Sequence, residues 1–336
     1  MDRLVLRQPD DFHVHLRQGS ASADWARDAQ KAGFARVLVM PNTVPPVVDA
    51  ASLTQYRHSL AAAAPGLGLL MTFKIMTGMT AETLTSLKAA GAVAGKLYPE
   101  GVTTNSHDGV RRLTDAYPVF EVMQELNLVL CLHGEDPQAF TFDREAVFLK
   151  DFRSLRRAFP RLRMILEHIS TREGLDAVRE AGELTAGTLT AHHLLYTFDD
   201  LAGGGLRPHL FCKPLLKRSE DRAALQAAAL SGEKQFFFGS DSAPHAKNHK
   251  EAALCSAGCY TMPVSLPLLV DFFETHAALD KLDPFLSAFG ADFYGLPRNP
   301  GQLVFERRPW VVPSEFHGAV PPNAGDTLVW KLQEAP

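Results

Sequence analysis

Short apolar runs alternate with amphipathic segments along almost the whole chain. Eight of these runs have the length and composition of buried β-strands. They cover residues 12–16, 35–40, 69–75, 94–98, 128–133, 164–168, 187–192 and 235–240. Because strand and helix patterns alternate eight times, the sequence predicts a closed parallel α/β barrel of the TIM (β/α)8 type.

The segments between the runs carry the start and stop signals of helices. Thr80, Thr171 and Ser219 can each cap a helix N-terminus, and Gly33 and Gly91 stand where helices should end. An open, doubly wound sheet is the alternative architecture. No glycine-rich dinucleotide fingerprint follows any predicted strand, so the closed barrel is favoured.

The length of 336 residues would suggest two domains at roughly 150 residues each. Eight strand–helix units and a tail take up all of that length, however, so we expect a single barrel domain over residues 1–336. Its strands should lie within about 12–241, and C-terminal helices with an extended, proline-rich tail within about 262–336. Residues 100–106 and 192–217 have the composition of functional loops, the first of them mobile.

Charge and cysteine content exclude several classes of protein. Lys and Arg total 34 against 38 Asp and Glu, a net charge of −4, so there is no basic excess to bind nucleic acid or an anionic membrane. Residues 1–11 lack the apolar core of a signal peptide, and the apolar stretch 263–273 is too short to span a membrane. Four scattered cysteines are too few for a disulfide framework. We therefore expect a cytoplasmic protein.

Histidine is abundant, with 13 copies, which favours imidazole over thiolate if a metal is bound. On the first strand, alternation places Asp11, His13, His15 and Arg17 on one face, towards the barrel axis. The opposite, apolar face consists of Phe12, Val14 and Leu16. Two imidazoles at positions i and i+2 are prearranged to bind one metal ion, although a hydrogen-bonded pair on an exposed strand is the alternative.

Further candidate ligands stand at the C-terminal ends of other strands. His133 ends the fifth strand, His168 the sixth, and Asp241 follows the eighth. The C-terminal rim of such barrels carries the active site, so these residues should converge with His13 and His15 on a metal centre. Glu167 is expected to face the surrounding helices, away from this centre.

Lys96, on the fourth strand, should point inward with Tyr98. A lysine facing metal ions would have a lowered pKa and could lose its proton. The neutral amine can take up carbon dioxide to form a carbamate, whose two oxygens can bridge two cations. Two metals with a shared hydroxide supply both a nucleophile and a Lewis acid.

With these residues placed in order, the sequence resembles the amidohydrolase superfamily and, within it, the short bacterial (class II) dihydroorotases. The resemblance extends from Asp10 to about Pro297. Besides His13-x-His15, the motifs that carry it are Met40-Pro41-Asn42, Lys96-Leu97-Tyr98-Pro99, Thr103-Thr104-Asn105-Ser106, Leu132-His133-Gly134-Glu135, Glu167-His168-Ile169, Arg207-Pro208-His209-Leu210 and Gly239-Ser240-Asp241-Ser242-Ala243-Pro244-His245. Residues 253–259 depart from the family's usual cysteine placement.

The resemblance implies a zinc-dependent, reversible cyclisation of N-carbamoyl-L-aspartate to L-dihydroorotate, the third step of de novo pyrimidine biosynthesis. It also implies two zinc ions per subunit, bridged by N6-carboxylysine at Lys96. One ion would be held by His13, His15 and Asp241, and the other by His133 and His168. A bridging hydroxide would attack the ring carbonyl, with Asp241 as general base and then general acid.

Substrate contacts and assembly follow from the same resemblance. The substrate carboxylate would be held by Arg17, Asn42 and His245. Backbone groups of Lys213 and Ala257 would contact the ring, while Thr103 and Thr104 would lie on a mobile loop that closes over the substrate. The family also implies a homodimer.

Two other functions stay open at this stage. A cyclic amidase acting on a hydantoin-like ring would share the metal ligands, but Arg17, Asn42 and His245 favour a substrate that carries a carboxylate. The barrel also starts too early to leave room for the β-sandwich of hydantoinases. An inactive homologue kept as a structural partner, for example of aspartate transcarbamoylase, should lack metal-site residues, and none is missing.

Overall fold

The computed structural model describes residues 2–333, so Met1 and residues 334–336 of the expected 1–336 domain lie outside the described residues. Its strands are β1 Arg3–Arg7, β2 Asp10–Val14, β3 Arg36–Val39, β4 Gly68–Lys74, β5 Ala92–Leu97, β6 Val129–His133, β7 Met164–Glu167, β8 Thr185–Leu189, β9 Phe236–Phe238, β10 Gln302–Val311 and β11 Thr327–Leu332. None of the helices in the described part of the chain has the length and apolar character needed to cross a membrane.

The helices fall mainly between successive strands. They are α1 Ala21–Lys31, α2 Ala50–Ala63, α3 Ala81–Ala89, α4 Tyr117–Glu125, α5 Arg144–Ala158, α6 Arg172–Glu180, α7 Ala191–Leu195, α8 Phe198–Ala202, α9 Ser219–Ser231, α10 Lys247–Lys250, α11 Ser265–Thr275, α12 Leu279–Ser287 and α13 Phe289–Tyr294. Short 3-10 turns occupy Leu113–Ala116 and Pro208–Leu210. Thr80 and Thr171 cap α3 and α6 as predicted, but Ser219 lies inside α9 and Arg218 precedes it.

Strands β2 to β9 form one parallel sheet in sequential order, which confirms the predicted barrel. The first and last strands meet where Val14 bridges Ser242. Two backbone hydrogen bonds support this closure, from Asp241 N to His13 O at 2.9 Å and from His15 N to Ser242 O at 3.0 Å. The seam of the barrel therefore runs directly through candidate site residues.

The barrel interior is filled by an apolar cluster to which most of its strands contribute. It includes Phe12, whose ring lies 5.2 Å from that of Phe237 and 5.1 Å from that of Tyr294 on α13. Strict alternation predicted Phe12 on the outer face, and this is wrong. The pairing of β2 with β3 shifts register between Asp11 and Val14, so the alternation does not run unbroken along this strand.

The chain ends form a second, three-stranded antiparallel sheet in the order β1, β10, β11. Much of the predicted extended tail is therefore β-structure. Arg3 pairs with Glu306, a partner some three hundred residues away, so no local pattern could have indicated the pairing. Val264, Val312 and Leu328 join this sheet to the start of α11 through a small apolar cluster.

Candidate active site

A pocket opens at the C-terminal ends of the barrel strands. Eleven of the thirteen predicted site residues line it: His13, His15, Arg17, Asn42, Thr103, Thr104, His133, His168, Lys213, Asp241 and Ala257. Of the other two, Lys96 is fully buried, with its ammonium 5.3 Å from the ring centre of the pocket residue Tyr98. His245 contacts the pocket residue Arg17.

His13, His15 and Asp241 form a compact group whose donor atoms all lie within 4.8 Å of one another. Nε2 of His15 is 3.1 Å from Asp241 Oδ1, and Nε2 of His13 is 3.4 Å from the same oxygen. Burial raises the pKa of Asp241, but the contact with His15 and the adjacent imidazoles outweigh it and hold that pKa below its usual range. The group therefore presents a carboxylate to two imidazoles.

The other nitrogen of each ring also faces an acceptor. Nδ1 of His13 is 2.8 Å from Glu167 Oε2, and Nδ1 of His15 is 2.7 Å from Asn42 Oδ1. A neutral imidazole has one proton, which cannot satisfy acceptors on both sides. With that proton on Nδ1, each Nε2 offers a lone pair towards Asp241, an arrangement that fits a cation held between them.

Glu167 lies inside the barrel, so its expected position towards the helices is wrong. Its Oε2 accepts a hydrogen bond from Thr188 Oγ1 at 2.7 Å as well as contacting His13. The side chain of Ile165, two residues earlier, belongs to the interior cluster, and alternation along β7 places Glu167 on the same face. The sequence contained this information, since alternation counted from Ile165 predicts that Glu167 faces the barrel interior.

His133 and His168 complete the cluster of imidazoles. Their ring centres are 4.6 Å apart, and the ring of His168 lies 5.1 Å from that of His13. Nδ1 of His168 is buried without a hydrogen-bond partner among the described residues, and Nε2 of His133 lies 2.8 Å from Glu135 Oε2. Burial lowers the pKa of His133 and, further, that of His168. Both rings are therefore neutral, the form that binds metal.

Lys96 has no hydrogen-bond partner for its ammonium among the described residues, although it is completely buried. Burial lowers the pKa of Lys96, against the opposing effect of the Glu167 carboxylate. An ammonium in such surroundings is costly, and the neutral amine is favoured. Its free lone pair is then available for reaction.

Three site residues take up a left-handed backbone conformation, which is uncommon outside glycine. They are Arg17 with φ 58°, His168 with φ 42° and Asp241 with φ 45°. Each follows a barrel strand by a few residues, where the chain turns from the sheet into the rim. Strain of this kind is concentrated at functional sites, where the surrounding fold maintains it.

Comparison with known proteins shows the family and the fold. The profile of the family described as Amidohydrolase matches residues 10–247. The dihydroorotase of Teredinibacter turnerae is 46% identical over 345 aligned positions, covering 99% of both chains. The crystal structure of Saccharomyces cerevisiae dihydroorotase in complex with 5-fluoroorotic acid superposes with a TM-score of 0.95 at 33% identity, covering 100% of both chains. That of the Campylobacter jejuni dihydroorotase gives 0.93 at 35% identity, covering 99% of this chain and 98% of the other.

The chain belongs to the dihydroorotase family of the amidohydrolases. Its reaction is accordingly the reversible cyclisation of N-carbamoyl-L-aspartate to L-dihydroorotate, a step of pyrimidine biosynthesis. A metal cofactor and a small-molecule substrate follow from this membership.

A dihydroorotase must also hold a substrate carboxylate, and one wall of the pocket suits this task. Nη2 of Arg17 is 2.9 Å from His245 Nε2, which lies equally far from the Ala257 carbonyl oxygen. Arginine can only donate and a carbonyl can only accept, so this nitrogen can form a proper hydrogen bond with one of the two at a time. Burial and the charge of Arg17 lower the pKa of His245 to about 3. The guanidinium charge therefore remains free for an anionic ligand.

Tyr98 is a pocket residue to which the sequence assigned no role, and the neighbouring histidines of α7 need separate treatment. Tyr98 lines the pocket, and burial raises its pKa well above the usual value. His193 is structural, because Nδ1 lies 2.8 Å from Thr190 Oγ1 and Nε2 lies 3.1 Å from Pro214 O. Its neighbour His192 belongs to α7 and not to the seventh predicted strand (residues 187–192), since Thr190 caps that helix.

A second group of possible metal donors consists of His192, Cys212 and Cys259, with donor atoms within 4.8 Å. Cys212 Sγ donates to Pro214 O at 3.2 Å. The contact with Cys259 and burial raise the pKa of Cys212 well above its ordinary value. That shift disfavours the thiolate that a metal requires, so this group is the weaker of the two candidates.

Proposed function

We propose that the chain carries out dihydroorotase catalysis at a two-zinc centre. His13, His15 and Asp241 would hold one ion, and His133 and His168 the other. Lys96, carboxylated at Nζ, would bridge the two. The observation that carries the proposal is the buried Lys96 nitrogen, which has no hydrogen-bond partner within residues 2–333 although it lies beside the imidazole cluster.

The residues present fit such a centre. His13 and His15 each face acceptors from both ring nitrogens, which supports a cation between their Nε2 atoms and Asp241. Nδ1 of His168 and Nε2 of His13 are buried atoms without hydrogen-bond partners among the described residues. When bound, the two divalent ions would polarise the ring carbonyl and lower the pKa of water.

The protein's own groups would then bind and orient the substrate. Arg17, with Asn42 and His245, would bind the carboxylate through charge-assisted hydrogen bonds. Asp241 would take up the proton released when water adds to the ring carbonyl and return it to the departing nitrogen. In the biosynthetic direction it would remove the proton from the attacking carbamoyl nitrogen.

The rim of the pocket would complete the site. Backbone groups of Lys213 and Ala257 would contact the ring, and both residues line the pocket. Thr103 and Thr104 would close over the substrate and shield it from water. Their position in the pocket wall supports this role.

The test combines three measurements on one sample: dihydroorotate hydrolysis, zinc content, and the carbon-13 spectrum after incubation with labelled bicarbonate. We expect two zinc ions per chain and one carbamate resonance. Lys96→Ala should lose the resonance, at least one zinc and turnover, while Lys150→Ala, at an exposed position, should lose none of them. Absence of turnover in a sample with two zinc ions per chain would refute the proposal.

The proposal extends to assembly and location. A homodimer follows from the family resemblance, and light scattering of the purified protein at micromolar concentration tests it. A cytoplasmic location is supported by four free cysteines, three of them buried. Fractionation of cells that express the tagged chain tests the location.

A further inference from the structure

Lys74 ends strand β4 and is almost completely buried, with 1% of its surface exposed. Its ammonium donates a hydrogen bond to the Asn105 carbonyl oxygen at 2.9 Å and forms an ion pair with the Asp108 carboxylate. Both partners belong to residues 101–108, which we call the rim loop. This loop also carries Thr103 and Thr104 of the pocket wall.

Two neutral hydrogen bonds also join the rim loop to the barrel. Asn42 Nδ2 donates to Thr104 O at 3.2 Å, and Asn105 Nδ2 donates to Asn42 O at 2.9 Å. Within the described residues, the rim loop forms one ion pair, between Asp108 and Lys74. Charge-assisted hydrogen bonds are roughly twice as strong as neutral ones, so this contact is the strongest of these polar attachments of the loop.

Because the Lys74 ammonium is buried, its polar partners come from the rim loop and depend on the position of that loop. If the rim loop lifted away from the barrel, Lys74 would lose both partners in one movement. Burial raises the pKa of Asp108, but the hydrogen bond from Lys74 outweighs it and lowers that pKa overall, which agrees with a formed ion pair. The closed position of the loop is therefore the one in which this charge is compensated.

We infer that Lys74 is a positioning residue of the dihydroorotase reaction. By holding Asn105 and Asp108, it sets the closed position of the rim loop and thereby the position of Thr103 and Thr104 against the substrate. The inference rests on the proposed role of these two threonines. Lys74 itself does not line the pocket.

The experiment compares Lys74→Met, Asp108→Asn and the double variant, with Asp115→Asn as control. Asp115 pairs with Arg112 in an exposed ion pair outside the rim loop. We expect Lys74→Met to lower kcat about 10- to 100-fold, the range that corresponds to loss of a hydrogen bond to a charged group. The KM should change little, because Arg17 can still bind the substrate while the loop is open.

Asp108→Asn should have a smaller effect of the same kind, and the double variant should be no worse than Lys74→Met, because the two side chains act through one contact. Lys74→Arg should recover part of kcat. Hydrogen exchange should accelerate in the peptide that contains residues 101–110 but not in strands β6 and β7. Zinc content should equal that of the unmodified chain in every variant.

Wild-type kcat and wild-type exchange of the rim loop in Asp108→Asn and Lys74→Met would overturn the inference. If Lys74→Met does not fold, Asp108→Asn and Asp108→Ala decide the matter, since 31% of the Asp108 side chain is exposed. A Thr103→Val/Thr104→Val variant separates the two proposals. Wild-type turnover there refutes the role of the threonines, whereas faster loop exchange in Asp108→Asn still supports the anchoring by Lys74.

Discussion

Lys74 and Lys96 are register partners on the neighbouring strands β4 and β5, and both side chains are buried. The ammonium of Lys74 has a carboxylate and a carbonyl as partners, whereas that of Lys96 has no hydrogen-bond partner among the described residues. Two chemically identical residues, adjacent in the sheet, are thus given opposite surroundings. The charge of Lys74 is compensated, whereas the surroundings of the Lys96 nitrogen favour loss of its proton.

This contrast predicts opposite effects of the same substitution on stability. In metal-free protein, Lys96→Met should raise the free energy of unfolding by about 1–3 kcal/mol, because it removes a buried polar group that has no partner. Lys74→Met should lower it, because hydrogen bonds that are already formed are lost. Urea denaturation of the chelator-treated proteins measures both. A decrease for Lys96→Met would show that its nitrogen is satisfied in solution.

The contact between Glu167 and His13 predicts a role in metal affinity. Glu167→Gln leaves a similar shape but removes the carboxylate that orients the His13 ring through Nδ1. Loss of such a partner typically weakens metal binding 10- to 100-fold, so we expect a change of about that size in competition with a chelator. The control is Glu173→Gln, at an exposed position on α6. Unchanged affinity in Glu167→Gln would mean that the contact does not orient a ligand.

Arg17 should determine selection for a substrate that carries a carboxylate. We expect Arg17→Met to raise the KM for dihydroorotate about 100-fold, because a charge-assisted contact to the carboxylate is lost. Dihydrouracil, the same ring without the carboxylate, should be turned over no more slowly by the variant than by the unmodified chain. Equal losses on both compounds would place the role of Arg17 elsewhere in the site.

The buried His193 predicts a defined dependence of stability on pH. Burial lowers its pKa from 6.5 to about 4, so between these values the unfolded chain binds more protons than the folded one. This contribution to stability is therefore fully present above pH 6.5 and is lost as the pH falls towards 4. Between pH 6.5 and 5.5 it amounts to about 1 kcal/mol.

His193→Gln removes this titration, although it also lowers stability overall because the ring accepts and donates hydrogen bonds. The difference in the free energy of unfolding between variant and unmodified chain should therefore shrink by about 1 kcal/mol from pH 6.5 to 5.5. Parallel denaturation series at several pH values measure it. A constant difference would show that His193 titrates alike in the folded and unfolded chain.

The sequence was sufficient for the barrel and for the convergence of most site residues. Each of the eight predicted strands is present, with ends that differ by up to three residues, because apolar runs record burial directly. The convergence of His13, His133 and His168 followed from strand order alone, since parallel strands share one C-terminal rim.

Features that depend on distant or irregular contacts could not be predicted. The pairing of β1 with β10 joins the two ends of the described chain, and the register shift after Asp11 reverses the face of Phe12. The contacts of Lys74 could not be predicted from its neighbours in the sequence, because a lysine at a strand end ordinarily reaches water. The folded positions of Asn105 and Asp108 give it partners inside the protein.

The left-handed backbone at Arg17, His168 and Asp241 has a consequence for how such a protein can change. A non-glycine residue in this conformation costs about 1–2 kcal/mol, so glycine at Asp241 or His168 would relieve strain while removing the side chain that the chemistry needs. Selection for thermal tolerance alone would thus favour losing the site at these residues first. A lineage that kept both side chains would therefore be under selection for turnover and not for folding alone.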